Sequence, residues 1–211
     1  WCNDLAAHVC GWLLLLPPTW FRLFHLRHHR FTNNPERDPE LAAAKPVNRR
    51  DYLIHMTGLP VWWSQIRLLL ANAFGRNSDG FVPRKAHRRV TVEAVWFIAL
   101  YAMAYKLFGE QLLWLWLVPI LIGQPFLRGF LLAEHMDCPK VPNMFANSRT
   151  TLTNAAVRFL TWNMSYHAEH HAQPAVPFHR LPDFHVHARP HLKVVQNGYL
   201  QLHRKIFAGL S

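Results

Sequence analysis

The chain has 211 residues, 51% of them hydrophobic, with a formal net charge of +11, nine tryptophans and fourteen phenylalanines. This apolar and basic composition leaves two classes of partner: nucleic acid, or the anionic face of a membrane where aromatic side chains anchor. The three cysteines, Cys2, Cys10 and Cys138, form no CxxC pair and no even-numbered framework. The sequence therefore indicates neither a disulfide scaffold nor a cysteine zinc site, and it favours a reducing compartment.

The N-terminal apolar stretch, residues 5–16, is too short to cross a bilayer by itself and stops at Pro17 and Pro18. The first residue is Trp1, and no charged leader precedes the stretch, which argues against a signal peptide. We therefore expect a fragment, truncated at its N-terminus, in which residues 5–16 end a membrane helix.

Residues 59–74 are the next patterned segment. They combine large apolar side chains, such as Trp62 and Leu69, with Arg67. The pattern is typical of an interfacial amphipathic helix, and a buried helix of a soluble domain is the alternative.

Two long apolar runs, residues 92–108 and 112–132, follow each other with only residues 109–111 between them. At about 1.5 Å per residue, each run is long enough as a helix to cross a hydrocarbon core of about 30 Å when its flanking residues snorkel. We therefore predict a transmembrane helical hairpin, with Pro119 and Pro125 as sites where its second helix can kink.

The basic residues bracket this hairpin. Of the 23 Lys and Arg, thirteen lie between Arg22 and Arg89, nine lie from Arg128 onward, and Lys106 alone lies in the interior stretch of the hairpin between Arg89 and Arg128. The positive-inside rule therefore places both ends of the hairpin in the cytoplasm. The RKAHRR run at residues 84–89 supports this orientation, although a solvated charged loop is the alternative explanation of that run. A nucleic-acid-binding module is disfavoured, because the charge lines no aromatic-bearing groove.

The chemistry is indicated by a short pattern, HxxHH, that occurs twice. On a helix the positions i, i+3 and i+4 share one face, so each copy presents three imidazoles toward one point. Two converging triads supply six nitrogens, more than a tetrahedral structural zinc uses, so two metals fit better than one. The residues of the two copies are His25, His28, His29, His167, His170 and His171.

Two further residues are candidates at the same site. Asn163, four residues before His167, would share its helical face as a weak or water-mediated metal contact, as a hydrogen-bond partner of a ligand imidazole, or as a helix cap. His135 follows the second apolar run, at the depth where the two triads would meet. Spacing alone leaves His135 open between a metal ligand and an interfacial residue.

Other titratable residues are given structural roles. Glu36, Asp38 and Glu40 lie among prolines and are expected to act in turns and caps. Glu169 points away from the ligand face, and we expect it to hold a neighbouring Arg or His. The remaining histidines show no metal-ligand spacing and are expected to be solvated or interfacial.

The two boxes, the NPERDPEL segment after the first and NMSYHAEHHAQPAVPFHRLP around the second resemble the membrane fatty acid desaturase family. The similarity runs from about residue 3 to about residue 187. It implies that the family's second histidine box corresponds to His25, His28 and His29, that its third corresponds to His167, His170 and His171, and that His135 matches the histidine placed before the third box. The implied fold is an all-α integral membrane protein whose transmembrane hairpin carries a cytoplasmic helical cap with the histidine boxes.

The family's first box, an HxxxH or HxxxxH upstream of the second, has no counterpart in the sequence. His8 does not replace it, because it is only seventeen residues before His25 and has no histidine partner three to five residues away. The resemblance therefore implies one desaturase domain over residues 1–211 that lacks its N-terminal part, with seven ligands present and two expected upstream.

The implied function is a membrane-bound, non-haem di-iron oxidoreductase. It would use O2 and two electrons, delivered by ferredoxin or a cytochrome b5-type donor, to introduce a cis double bond into a lipid acyl chain. One alternative is a hydroxylase or ketolase of the same superfamily acting on a carotenoid, an alkane or a sphingolipid. A non-enzymatic membrane protein that binds metal is the other.

Overall fold

The computed structural model describes residues 1–77 and 79–211, and these residues are mainly helical, as predicted. The second of the two predicted apolar runs contains a π-helical stretch, Leu113–Leu117, which ends two residues before Pro119. The α-helices of the described chain are α1 (Cys2–Leu13), α2 (Pro18–Phe31), α3 (Arg49–Met56), α4 (Leu59–Ala73), α5 (Arg84–Phe108), α6 (Val118–His135), α7 (Met144–Asn147), α8 (Ala155–Leu160), α9 (His167–Ala172), α10 (Leu181–Ala188) and α11 (Tyr199–Gly209).

The described residues also form a two-stranded sheet, which the all-α prediction did not include. Strands β1 (Thr150–Leu152) and β2 (Val195–Asn197) pair in parallel, with Thr150 opposite Val195. Strands of three residues are too short to show a period-two pattern in a sequence, so the prediction missed them.

The contacts between residues divide the chain into two compact units. The first is Trp1–Arg27 with Thr57–Gln124, and the second is His28–Met56 with Pro125–Ser211. A single domain over residues 1–211 stays a prediction.

The first unit has an apolar core between α1, α4 and α5. Trp62 and Leu69 of α4 pack with Ala94 and Phe97 of α5. Trp12 of α1 stacks on Tyr101, with ring centroids 5.3 Å apart. The predicted helix at residues 59–74 is confirmed as α4, which buries Trp62 and leaves Trp63 exposed, so it has the two faces of an amphipathic helix.

Helix α5 begins at Arg84, whereas the prediction started it at residue 92. Pro83 precedes its first turn, and the RKAHRR run forms that turn and the next instead of a loop. Lysine, arginine and alanine are good helix formers, and a proline is tolerated at a helix start. The basic run is therefore continuous with the apolar helix.

Two helical segments are long and apolar enough to cross a membrane by length and composition. They are Arg84–Phe108, with 25 residues, and Leu113–His135, with 23 residues. The predicted hairpin therefore has two helices of sufficient length, and its second helix extends three residues beyond the predicted end at residue 132, to His135.

Gly58, immediately before α4, is in the left-handed region with φ +69°. A Cβ there would lie 2.2 Å from the Gln124 Oε1 atom, and Gln124 is buried. We expect Gly58→Ala to destabilise the full-length protein by about 2–4 kcal/mol, because backbone strain and overpacking add. Gly75 is the matched control: it has φ +69° with no atom within 4 Å of the added Cβ, so only about 1–2 kcal/mol of strain is expected. Thermal unfolding in detergent measures both, and equal shifts would contradict a role for Gln124.

The second unit packs the end of α6 against α11. Leu132 and Met136 join Leu202 and Ile206 in its core. The guanidinium of Arg149 donates to the carbonyl oxygens of Ala133 and Met136, and the backbone N–H of Arg149 donates to that of Glu134 at 2.9 Å. These bonds satisfy carbonyls that a helix end leaves open, and they hold the turn that carries His135.

Candidate metal centre

Four histidines from three helices meet inside the second unit. His28 comes from α2, His135 is the last residue of α6, and His167 and His171 come from α9. All four are buried, and one ring nitrogen from each lies within 4.8 Å of the others. The Nε2 atom of His167 is 2.9 Å from the Nε2 atoms of both His135 and His171. Adjacent ligands around a metal with bonds of about 2.1 Å are spaced about 3 Å apart, so these distances suit a shared ion.

Two of the rings are oriented through Nδ1 by groups that can only accept a hydrogen bond. The Nδ1–H of His28 donates to the Oδ1 atom of Asp38 at 2.9 Å. The Nδ1–H of His135 donates to the carbonyl oxygen of Asn147 at 3.2 Å. A carboxylate and a carbonyl oxygen accept only, so each imidazole carries its proton on Nδ1 and a lone pair on Nε2.

The ring of His171 follows the same arrangement, with its Nδ1 atom 3.0 Å from Oγ1 of Thr32. The Nδ1 atom of His167 lies 3.1 Å from Oε1 of Glu134 but makes no hydrogen bond with a described residue. The Thr32 hydroxyl already donates to the carbonyl oxygen of His28 at 2.8 Å, so it accepts from His171. The Nε2 atoms of His135, His167 and His171 therefore face one another, an arrangement that is repulsive unless a proton or a cation lies between the nitrogens and that is usual around a bound metal.

Burial keeps the imidazoles of His167 and His171 neutral. Desolvation, with the neighbouring imidazoles, lowers the pKa of His167 and of His171 well below the ordinary histidine value. Desolvation raises the pKa of Glu40. Burial alone would also raise the pKa of Asp38, but its bond to His28 and the N–H groups of Glu40 and Asn33 hold it below the usual range. Neutral imidazole is the form that binds metal, so protons compete weakly for this site.

A second set of ring nitrogens lies next to the first. The rings of His29 and His170 meet edge to face, with centroids 4.6 Å apart, and His29 stacks on His171 at 4.2 Å. His25 is one turn before His29 on α2. Burial lowers the pKa of His170 as well.

Glu169 lies on α9 and holds this helix in place through contacts with two other elements. This carboxylate is fully buried, accepts a hydrogen bond from Oγ1 of Thr150 at 2.5 Å, and pairs with Nδ1 of His185. The prediction that Glu169 holds a neighbouring Arg or His is confirmed. Because Thr150 lies on β1 and His185 on α10, the pairing ties α9 to both elements while its histidines face the metal centre.

The family of the chain follows from comparison with known proteins. The model of the family described as "Fatty acid desaturase" matches residues 1–202. The chain belongs to the fatty acid desaturase family. A sphingolipid delta(4)-desaturase of Drosophila melanogaster is 26% identical, with 86% of this chain and 53% of the relative covered. An sn-1 oleoyl-lipid 12-desaturase of Picosynechococcus sp. is 25% identical, with 86% of this chain and 58% of the relative covered.

This desaturase chain spans about half the length of the curated relatives it matches. No solved structure matches it. The resemblance inferred from the two histidine boxes is confirmed at the level of the family.

One predicted site residue is placed differently. Helix α9 begins at His167, so Asn163 does not share its helical face as expected. Asn163 has φ 58°, a left-handed conformation that ends a helix, and its side-chain amide donates to the carbonyl oxygen of Phe178 at 3.1 Å. That bond orients a turn, and a water-mediated contact of Asn163 with the metal centre stays a prediction.

Several residues around this candidate metal centre were not predicted from the sequence. Asp38 caps the short helix Pro39–Ala42, as expected of a turn residue, but it also accepts from His28. Thr32 and Asn147 gave no signal, because hydroxyls and backbone carbonyls occur throughout the chain. Glu134 directly precedes His135, and an acidic residue beside a candidate ligand was the one available clue.

Proposed function

We propose that the full-length protein is a membrane-bound, non-haem di-iron desaturase. It uses O2 and two electrons to introduce a cis double bond into a lipid acyl chain. The observation that carries the proposal is the buried set of four histidines whose ring nitrogens converge, in a chain of the fatty acid desaturase family. Two hydrogens leave adjacent carbons and, with O2, two electrons and two protons, give two waters.

The residues fit two iron ions. We assign one ion to His28, His135, His167 and His171. The second is assigned to His29, His170 and His25. Removing hydrogen from an unactivated carbon is beyond a general base, and bound iron supplies the redox chemistry for it. Imidazole ligands also suit zinc and copper, so the choice of iron rests on that chemistry and on the family.

The protein's own groups prepare the site. Asp38, Asn147 and Thr32 accept from the Nδ1–H groups of His28, His135 and His171, which fixes these three tautomers and ring orientations before a metal arrives. Burial of the four imidazoles excludes water and keeps the site in a low-dielectric setting, which protects reactive chemistry from side reactions with solvent.

The apolar helices support insertion into a membrane. Large apolar side chains along them are exposed in the protein, among them Trp96 at 63%, Leu115 at 78% and Phe126 at 79%. Soluble monomers rarely expose contiguous apolar surface of this kind, whereas hydrocarbon solvates it. Because the Lys and Arg residues bracket both helices, we place their ends and the histidine boxes on the cytoplasmic side.

The substrate and the electron donor follow from the family. The two relatives act on a sphingolipid and on an oleoyl lipid according to their names, so a lipid acyl chain is the proposed substrate class. A net charge of +11 complements an acidic donor of the ferredoxin or cytochrome b5 type.

Gas chromatography with mass spectrometry tests this function. Total lipids from a host that expresses the full-length protein are compared with those from the same host expressing His28→Ala. We expect a new unsaturated acyl chain that is absent from the variant, and its fragmentation locates the double bond. A new hydroxylated lipid or carotenoid would instead support the alternative chemistry. Identical profiles from iron-loaded protein and variant would refute the desaturase proposal.

A further inference from the structure

A groove of about 660 Å³ lies between α1 and α5, within the first unit. Helix α5 contributes Val92, Trp96 and Leu100 to its lining. These positions are four residues apart, so they form one apolar stripe along the helix. Helix α1 adds Val9 and Trp12. The volume is within the range of about 300–1,000 Å³ that is usual for small-molecule sites, so the groove has room for one ligand.

One end of the groove is basic. Lys85, Arg88 and Arg89 line it there, from the first two turns of α5. Glu93 is the only carboxylate among the described residues that line the groove. Three cations and one carboxylate leave this end with a formal charge of +2, which favours an anion.

Glu93 is already engaged by other groups. Its Oε2 atom accepts the backbone N–H of Thr19 at 2.8 Å, and its Oε1 atom accepts the Thr19 hydroxyl at 2.6 Å and the Nε–H of Arg89 at 3.0 Å. Lys85 and Arg88 are exposed, and within the described part of the chain neither forms an ion pair. These two side chains are therefore available to bind an anion from outside the chain.

The basic end and the apolar stripe follow each other along α5 as the parts of a lipid molecule do. From Arg88 to Leu100 the helix rises by about 18 Å, at about 1.5 Å per residue. One leaflet of a hydrocarbon core of about 30 Å is about 15 Å deep. A lipid whose phosphate lies at Arg88 therefore reaches Leu100 with its acyl chain.

We infer that this groove binds an anionic phospholipid, with its phosphate at Lys85 and Arg88 and an acyl chain along the apolar stripe. The inference rests on the membrane location proposed above and does not depend on the metal chemistry. The basic end belongs to the leaflet proposed to face the cytoplasm, where anionic lipids attract Lys and Arg beside a membrane helix. A soluble anion would leave the apolar stripe without a partner, and an uncharged lipid would leave the two cations without one.

Native mass spectrometry of the purified full-length protein in detergent tests the inference. The probes are dioleoylphosphatidylglycerol, which is anionic, and dioleoylphosphatidylcholine, which has the same acyl chains and no net charge. We expect the wild-type protein to bind the anionic lipid at least about tenfold more tightly, and Lys85→Gln with Arg88→Gln to lose this preference. Arg67→Gln with Arg76→Gln is the matched control. Both arginines are exposed in the same unit and lie outside the groove lining, so the wild-type preference is expected to remain.

A second variant tests the apolar stripe. We expect Trp96→Ala to weaken the binding of both lipids by about fivefold or more, because the acyl chain loses its contact with the indole ring. Trp63→Ala is the control, since Trp63 is 62% exposed against 63% for Trp96 and does not line the groove.

Each outcome separates the inference from the proposed function. Equal affinity of the wild-type protein for the two lipids would overturn the inference, and so would an unchanged preference in the Lys85→Gln and Arg88→Gln variant. Weak binding of both lipids with no effect of Trp96→Ala would show that another part of the full-length protein or a partner covers the groove. Protein that stays soluble without detergent would count against the proposed membrane location itself. The wild-type comparison needs no variant, so it decides the question even if a substitution prevents folding.

Discussion

Replacing His171 with alanine in the full-length protein is expected to abolish the unsaturated product and to remove about one of the two iron ions. The ring of His171 lies between the two sets of histidines: its Nε2 is 2.9 Å from that of His167, and its ring stacks on His29. Its loss opens the coordination of the four-histidine site and leaves the Thr32 hydroxyl without its imidazole partner. Iron analysis and lipid gas chromatography measure the two effects.

The matched control for this variant is His187→Ala. His187 is exposed on α10 and lies outside both histidine sets. We expect it to keep wild-type iron content and product. Product formation by His171→Ala at the wild-type level, with two iron ions retained, would refute the assignment of His171 as a ligand.

Asp38→Asn is expected to weaken iron binding by about 10–100-fold while the protein still folds. The two carboxylate oxygens of Asp38 accept from the His28 imidazole and from the N–H groups of Glu40 and Asn33. An asparagine replaces one acceptor with an NH2 donor, so one of these donors loses its partner. If the amide faces His28, the ring must move its proton to Nε2, the nitrogen that the metal needs.

Titration of the apo full-length protein with Fe²⁺ under anaerobic conditions measures this effect. Asp183→Asn is a suitable control, because that carboxylate is exposed and pairs with Arg180 at the surface. An Asp38→Asn variant with wild-type iron affinity would show that the His28 tautomer does not depend on Asp38. A variant that fails to insert or fold would show that the role of Asp38 in the loop dominates.

The local patterns of the chain were sufficient to predict its main helices and its ligand types. The spacing of His25, His28 and His29 predicts one helical face, and α2 carries all three. Two long apolar runs predict two long helices. Exposing apolar side chains to water is unfavourable, and a run of this length can cross a bilayer as a helix. These signals are contained within 20 to 25 neighbouring residues, so they are visible without tertiary structure.

Other features depend on contacts between distant residues. The spacing of Asn163 and His167 predicts that both lie on one helix. In the structure Asn163 has a left-handed backbone conformation and donates to the carbonyl oxygen of Phe178, so it lies in a turn outside that helix. The β1 and β2 strands pair residues about 45 positions apart, and each is too short to be recognised alone.

The sequence by itself determined the number and helical spacing of the imidazoles and the apolar character of the long helices. These features depend only on the local order of residues along the chain. The tertiary structure decided which nitrogen faces inward in the rings of His28, His135 and His171. Asp38, Asn147 and Thr32 set those tautomers, and each contact joins a helix to a separate helix or loop. A histidine motif in a sequence carries two candidate nitrogens per ring, and only the partner of the outer nitrogen, supplied by folding, selects the one that binds metal.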